Sequence, residues 1–289
     1  MFSKNGASQY THTTGFSLQA VTAHIQGFFT SKTGDVSFFY HVPRPYIKPT
    51  TNVTRLVFSI TPTSGFYAEL ESSPGPAVGF LHRPFTLNRY SVPRGTTVLA
   101  CHKSFDEVLT VGYNVALANR LGMNVQASVC LQGYKGDPAR RIGIIGNFLQ
   151  PHQAAKQIMK VIRSEFGTLE GEFGMDSDSP ISALAIMNAF HPGEVNRVIE
   201  DAVAANIVAS PAESSKILYL TGAVREEGLK AARENGMTVV CVGHKTCEEW
   251  GVRFLAAEAR ASFPGLQVHE VYEDEDCHQG ARSDKQRRE

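Results

Sequence analysis

The chain is poor in cysteine and lacks the short paired spacings on which disulfide frameworks and cysteine-zinc modules depend. Its 289 residues include five cysteines, an odd number, and no two of them form a C-x-x-C pair. Disulfide-rich secreted scaffolds and zinc fingers are therefore disfavoured, and a reducing compartment is expected. The cysteines are Cys101, Cys130, Cys241, Cys247 and Cys277.

The chain also has no net charge and no long hydrophobic run. Lys plus Arg and Asp plus Glu both number 28, so no overall field draws the molecule towards nucleic acid or an anionic membrane. No stretch approaches the roughly 20 consecutive apolar residues of a membrane helix, and the first residues lack the apolar core of a secretory signal. We therefore expect a soluble cytoplasmic protein without membrane or bulk nucleic-acid partners.

Two short segments give weak signals for other compartments. Residues 1–34 contain no Asp or Glu and are rich in Ser and Thr, which faintly resembles a mitochondrial presequence, but they also contain no Arg. The basic run KQRR near the last residues has the composition of a nuclear address, but four such residues on a polar tail are more often a solvated end. Both signals are weak, and the expectation of a cytoplasmic protein is kept.

Apolar runs alternate with helical patterns over most of the chain. Residues 1–51 form an irregular leader with three closely spaced prolines, and residues 277–289 form a polar tail. Between them, strands are predicted near residues 55–60, 77–82 and 96–102, and a helix is predicted from Pro151 to Gly167. At 42% hydrophobic residues, the chain can bury one large core or two lobes. The alternation predicts an α/β fold with largely parallel pairing.

Histidines with acidic neighbours follow several of the predicted strands. His82 ends one strand, His102 ends another with Asp106 four residues later, and His244 follows a third with Glu248 four residues later. A single histidine at a strand end is often only a surface or hydrogen-bonding residue. If the three strands are neighbours in one sheet, these side chains would meet in one cleft. Imidazole and carboxylate together are ligands for zinc, iron, manganese or nickel.

The segment MTVVCVGHKTCEEW (237–250) contains the last of these pairs. Its apolar run is too short for a helix and rich in β-branched residues, which predicts a strand that ends at Gly243. Thr246 followed by Glu249 resembles a capping box, which predicts that the next helix begins near residue 247. His244 would then lie at the strand end and Glu248 in the first helical turn, at the edge where open α/β sheets bind ligands.

The motifs of the chain resemble, in order, the blocks of the Nif-three-like family (Ngg-interacting factor three), which is also known for homologues of a type-two GTP cyclohydrolase I. The resemblance covers about residues 52–275, and its most specific part is the last block. The blocks are FLHRP, CHKSFDEV, RIGIIG, LTG with a helix that ends in ENGM, and VVCVGHKTCEEWGVRFLAAEA.

The resemblance implies a two-lobed α/β fold with mixed, largely parallel sheets flanked by helices, often assembled as a ring-shaped homo-hexamer. It also implies a site for one or two divalent metal ions in residues 52–276. Carried over position by position, the implied ligands are His82, Asp106, His244 and Glu248, together with His102, which precedes the aspartate. Either His102 or Glu248 would shuttle protons if it is not occupied as a ligand.

One position departs from the family pattern. Arg83 stands where the second histidine of the family's HHP motif is expected, and a guanidinium cannot ligate a cation. Either one of the metal ions is lost, or Arg83 points away from the site, or the Arg83 guanidinium contacts an anionic substrate group.

Two functions follow as expectations. One is a metal-dependent hydrolase of a small phosphorylated or nucleotide-like substrate, and the alternative is a non-catalytic interaction or regulatory scaffold with a mononuclear or empty site.

Overall fold

The computed structural model describes residues 15–274, apart from residues 135, 151, 152, 175 and 177. The predicted polar tail at 277–289, and Pro151 at the predicted helix start, lie outside the described residues. In chain order the first elements are β1 (Phe16–Ser17), α1 (Leu18–Gln26), β2 (Phe39–His41), β3 (Asn52–Val53), β4 (Arg55–Ser59), α2 (Ser64–Glu71), β5 (Ala77–Leu81), β6 (Thr97–Ala100) and α3 (Lys103–Val108).

The later elements begin with a short helix and end with a long one that leads into the last strand. They are α4 (Val115–Arg120), β7 (Val129–Tyr134), β8 (Asp137–Asn147), β9 (Gln153–Ala154), α5 (Ala155–Phe166), β10 (Gly171–Phe173), β11 (Pro180–Ile181), β12 (Ala183–Met187), α6 (Pro192–Ala204), β13 (Ile217–Thr221), α7 (Glu226–Glu234), β14 (Thr238–Cys241), α8 (His244–Ser262) and β15 (Gln267–Val271). Short 3₁₀ helices occur at Val125–Ala127 and Pro211–Lys216.

The first lobe is built on a five-stranded sheet with the order β15-β4-β5-β6-β2. The strands from β15 to β6 pair in parallel, and only the edge strand β2 is antiparallel. Every residue of β4, β5 and β6 is buried, as expected for parallel strands covered on both faces. The continuous apolar runs that predicted these strands are therefore explained by their central position.

The second lobe is built on a six-stranded sheet with the order β10-β14-β13-β12-β8-β7. Its centre, β12-β13-β14, is parallel and fully buried, whereas β10, β8 and β7 are antiparallel additions. The predicted α/β class, with mixed sheets flanked by helices, is confirmed. The three histidine-bearing strands are not neighbours in one sheet, however, because β5 and β6 lie in the first lobe and β14 lies in the second.

Helix α8 connects the two lobes. Near its start, Cys247 and Trp250 are buried in the core against β13 and β14 of the second lobe. Further along, Val252, Leu255 and two alanines are buried in the core of the first lobe, and the chain then enters its sheet as β15. Between these parts, a Cβ on Gly251 would lie 2.6 Å from the carbonyl oxygen of Leu109. The missing side chain allows α8 to lie directly against the end of α3.

The leader contains a helix that was not predicted from the sequence. In α1 the buried residues Leu18, Val21 and Ile25 recur at helical spacing and pack in the first-lobe core. The Ser17 side chain accepts a hydrogen bond from the Ala20 amide at 3.2 Å and caps the helix. The three prolines follow this helix and do not interrupt it. Among the described residues, no helix combines the length and apolar character needed to cross a membrane.

Candidate metal centre

His82 is completely buried and directs one ring nitrogen at two carboxylates. It follows β5, and its Nδ1 lies 3.2 Å from the carbonyl oxygen of Cys101. Because a carbonyl only accepts, Nδ1 carries the proton and Nε2 is the atom left for other partners. Nε2 lies 3.3 Å from Asp106 Oδ1 and 3.3 Å from Glu248 Oε1.

This arrangement requires a positive charge near Nε2, because the lone pair of a neutral imidazole would face two anions. Burial lowers the pKa of His82, but the close carboxylates of Asp106 and Glu248 outweigh burial and raise the pKa to about 9. The two 3.3 Å contacts are nevertheless not aligned as hydrogen bonds, so within the described residues Nε2 has no such partner. A divalent cation between these groups would satisfy the ring nitrogen and both carboxylates together.

His102 and Asp106 come from the chain that follows β6. His102 precedes α3, Asp106 lies in its first turn, and His102 Nδ1 is 3.9 Å from Asp106 Oδ2. Burial is the largest influence on His102 and lowers its pKa, which favours the neutral ring that metals bind. One ligand atom from each of His82, His102 and Asp106 lies within 4.8 Å of the others. These three residues form a candidate metal-binding cluster.

Asp35 holds this part of the backbone in place. Its carboxylate accepts hydrogen bonds from the amides of His102, Lys103 and Ser104 at 3.0 to 3.1 Å. Burial tends to raise the pKa of Asp35, but these amides, with that of Val36, outweigh it and lower the pKa. Asp35 therefore sets the position of His102 from the leader, where its role could not be recognised in the sequence.

Glu248 and His244 enter the site from the second lobe. Helix α8 begins at His244, directly after Gly243, whose φ of 94° suits a residue without a side chain. The helix thus starts three residues earlier than the predicted start near residue 247. The predicted capping box at Thr246 is wrong, because Thr246 lies inside the helix and the N-cap is Gly243, which has no side chain. The earlier start places His244 and Glu248 one turn apart on the same face, with His244 Nε2 at 3.4 Å from Glu248 Oε1.

Glu248 is only 2% exposed and lies between positive groups. Its Oε2 is 3.4 Å from Arg83 Nη2, and its Oε1 is near both His82 and His244. Burial tends to raise the pKa of Glu248, but the two histidines and the Arg83 charge outweigh it and lower the pKa to about 2. We call His82, His102, Asp106 and Glu248 the histidine–carboxylate cluster.

The remaining predicted residues lie beside this cluster. His244 is 57% exposed and contacts the cluster at Glu248, so it stands at the rim. Arg83 is directed at Glu248 and stabilises its negative charge. Its predicted contact with a substrate anion stays a prediction, as do the individual ligand and catalytic roles of the predicted residues.

A cleft of about 260 Å³ opens beside the cluster, and its lining includes Asp106, His244 and three arginines. We call Arg140, Arg141 and Arg225 the arginine wall. Arg140 and Arg141 belong to β8, and Arg225 directly precedes α7, so the wall belongs to the second lobe. The only sequence signal for it is the pair RR at 140–141, which does not indicate by itself what the pair faces.

Comparisons with known proteins agree with this fold. A model of the Duf34/NIF3 family (NGG1p interacting factor 3) matches residues 89–276, which include His102, Asp106, His244 and Glu248 and begin after Arg83. A GTP cyclohydrolase 1 type 2 homolog from Pseudomonas aeruginosa is 31% identical over 159 residues, 55% of this chain and 55% of that protein. The chain thus spans about half the length of this curated relative.

Two solved structures share the fold at low sequence identity. Reduced HcgD from Methanocaldococcus jannaschii has a TM-score of 0.58 and 16% identity, over 89% of this chain and 98% of that chain. A Bacillus cereus protein related to NIF3 has a TM-score of 0.55 and 12% identity, over 91% and 98%. At these identities the likeness concerns the fold alone.

Proposed function

We propose that this chain, which belongs to the Duf34/NIF3 family, is a metal-dependent hydrolase of a small phosphorylated or nucleotide-like substrate. The observation that carries the proposal is the convergence of His82, His102 and Asp106, with Glu248 3.3 Å from His82, beside a cleft that Asp106 lines. The name of the Pseudomonas relative, a GTP cyclohydrolase homolog, supports a nucleotide-like substrate.

The cluster residues would hold the ion and keep it in a fixed position. His82, Asp106 and Glu248 provide one nitrogen and carboxylate oxygens, a set suited to zinc, iron, manganese or nickel. When bound, the ion would polarise substrate oxygens and lower the pKa of a coordinated water. Arg83 would keep Glu248 ionised as a ligand. His244 offers one further nitrogen at the rim, where a second ion could be held.

His102 is better suited than Glu248 to proton transfer. An efficient general base has a pKa near the working pH, whereas the pKa of Glu248 is lowered to about 2. His102 is half-buried, and its lowered pKa leaves the ring neutral and able to accept a proton. We therefore propose that Glu248 binds the ion and that His102 handles protons whenever it is not itself a ligand.

Metal content tests the proposal directly. We expect protein purified without chelator, or loaded with zinc or manganese, to retain about one equivalent of metal by elemental analysis. Asp106→Asn should lose most of it with little change in shape, whereas Asp178→Asn, which alters an exposed carboxylate, should behave as wild type. Protein that neither retains nor takes up metal would contradict the proposal. Hydrolysis of a panel of phosphoesters and nucleotides then tests catalysis.

The alternative is an interaction or regulatory scaffold without catalysis, and Arg83 is the observation that favours it. Its guanidinium lies 3.4 Å from Glu248, where an additional imidazole would supply a ligand. Arg83→His discriminates the two functions. A hydrolase should gain metal or change its turnover with this substitution. Unchanged metal content without hydrolysis of any nucleotide would favour the scaffold, consistent with the protein-interaction role in the family description.

We further propose that the chain acts in the cytoplasm as a homo-oligomer, up to a hexamer. The proposal is supported by the family resemblance of its sequence blocks. Light scattering of the purified protein, with and without metal, tests it. A monomer at all concentrations would contradict the oligomeric part.

A further inference from the structure

The cleft is lined by charged residues of both signs, the three arginines of the wall and two acidic residues. Two carboxylates line the same cleft, Asp106 and Glu107. Asp106 faces His82 in the histidine–carboxylate cluster, 3.3 Å from its Nε2. Glu107 is 4% exposed and already paired with Lys32 at 2.6 Å as well as with Arg141 at 3.6 Å. Both carboxylates of the lining are thus already engaged, Asp106 by His82 and Glu107 by Lys32 and Arg141.

Arg141 is held in a defined position rather than extended into solvent. Besides its contact with Glu107, its guanidinium lies 4.9 Å from the centre of the Tyr113 ring. Its partner Glu107 lies in α3 and its partner Tyr113 lies between α3 and α4, whereas Arg141 comes from β8. An exposed arginine is commonly only solvated, but a guanidinium that is fixed by two contacts and lines a cavity is prepared to bind a ligand.

The wall and the candidate metal centre share one cavity. Asp106 and His244 line the cleft together with the three arginines, so one small molecule could touch both sides at once. A volume of about 260 Å³ lies just below the usual range of small-molecule sites, which begins at about 300 Å³. The cavity therefore suits a small phosphoester rather than a dinucleotide.

We infer that the arginine wall is a phosphate-binding subsite that holds the substrate's phosphate group while its reacting part faces the histidine–carboxylate cluster. Guanidinium groups bind phosphate through paired N–H donors, and three of them match the oxygens of a terminal phosphate. The inference rests on the proposed function, since it assigns the substrate class of the same cleft. Arg225 is exposed directly before α7 and lines the cleft, so it would supply the third guanidinium of the subsite.

Calorimetric titration with inorganic phosphate, pyrophosphate and a nucleoside monophosphate tests the subsite, with the metal-loaded protein and with the chelator-treated protein. We expect the phosphate probes to bind in both states. Arg225→Gln should weaken binding about tenfold without changing the metal content. Arg233→Gln, a matched exposed arginine near the end of the same helix, should bind as wild type. Citrate serves as a carboxylate probe and should bind more weakly.

The outcomes separate this inference from the proposed function. If wild-type protein does not bind phosphate, if Arg225→Gln binds it as tightly as wild type, or if citrate binds more tightly, the subsite is wrong. The metal measurement with Asp106→Asn would still stand in those cases. If phosphate binding depends on Arg225 but no metal is retained, the subsite is supported and the hydrolase fails. Tighter binding of the nucleoside monophosphate than of free phosphate would identify an organic phosphoester as the ligand.

Discussion

The histidine–carboxylate cluster and the arginine wall both contribute residues to one cleft, but they differ in burial. His82 and Glu248 are almost inaccessible, and each is close to groups of opposite charge. Arg225 is exposed, and Arg141 is about a quarter exposed. Charges in the cluster therefore depend on each other for stability, whereas Arg225 and Arg141 are more accessible to solvent.

The largest expected effect is the loss in free energy of unfolding when a buried charge is removed from the histidine–carboxylate cluster. In metal-free protein, Glu248→Ala leaves His82 and Arg83 without their shared anion, and breaking a buried pair in this way costs roughly 3–5 kcal/mol. Urea denaturation should show this loss in the free energy of unfolding. Glu249→Ala, next in the helix and only loosely paired with Lys245, is the control and should cost far less. Equal urea midpoints for the two variants would contradict the expected difference between a buried carboxylate and a loosely paired one.

The cluster should also respond to pH in a way that the arginine wall does not. The folded pKa of His82 is raised from 6.5 to about 9, so its contribution to stability is complete below 6.5. That contribution should be lost as the pH rises through 9. In metal-free protein, we expect stability to fall between pH 6.5 and pH 9, by less than in Glu248→Ala because Arg83 still faces Glu248. His82→Gln should flatten this part of the profile, and a profile identical to wild type would refute the assignment.

A smaller effect is expected at Asp35, which supports the cluster from a distance. Asp35→Ala removes the acceptor of the amides at the start of α3, and loss of such a cap costs about 1 kcal/mol. Metal affinity should fall about tenfold, as is typical when a residue that orients a ligand is lost. Competition with a chromophoric chelator measures the affinity. Asp35→Asn, which keeps one acceptor oxygen, should recover part of it, whereas a purely local role would leave affinity unchanged.

The smallest effect is expected on the arginine wall. Arg225→Gln changes an exposed side chain, so the free energy of unfolding should stay within about 0.5 kcal/mol of wild type. Thermal and urea denaturation check this directly. A larger loss of stability would mean that the wall is structural, and the contrast between the two sides of the cleft would disappear.

The sequence predicts the cluster better than the wall for a physical reason. His82 and His102 follow strands whose apolar residues are all buried, so the pattern that marks each strand also marks the polar residue after it. The sheet to which β14 belongs depends on long-range pairing, which periodicity does not record. Glu248 consequently reaches the cluster across the lobes and not from a neighbouring strand.

The residues that were missed act through three-dimensional contacts without a local pattern. Asp35 lies 67 residues before His102, and its role depends on a loop that folds back over the start of α3. Arg140 and Arg141 lie at the partly exposed end of a long antiparallel strand, where arginine is ordinary. The start of α8 was predicted three residues too late because Gly243, with its positive φ, replaces the side-chain cap.

The passage of α8 through both cores has a consequence for how the protein is made. The second lobe can pair its strands before α8 has been synthesised, but the first-lobe sheet lacks β15 until residue 271 is available. Glu248, the cluster's contribution from α8, also arrives late. Since chains emerge from the ribosome in order, the first lobe must wait, incomplete, while the second lobe forms behind it. The candidate metal centre thus gains Glu248 only after nearly all of the described chain has been translated.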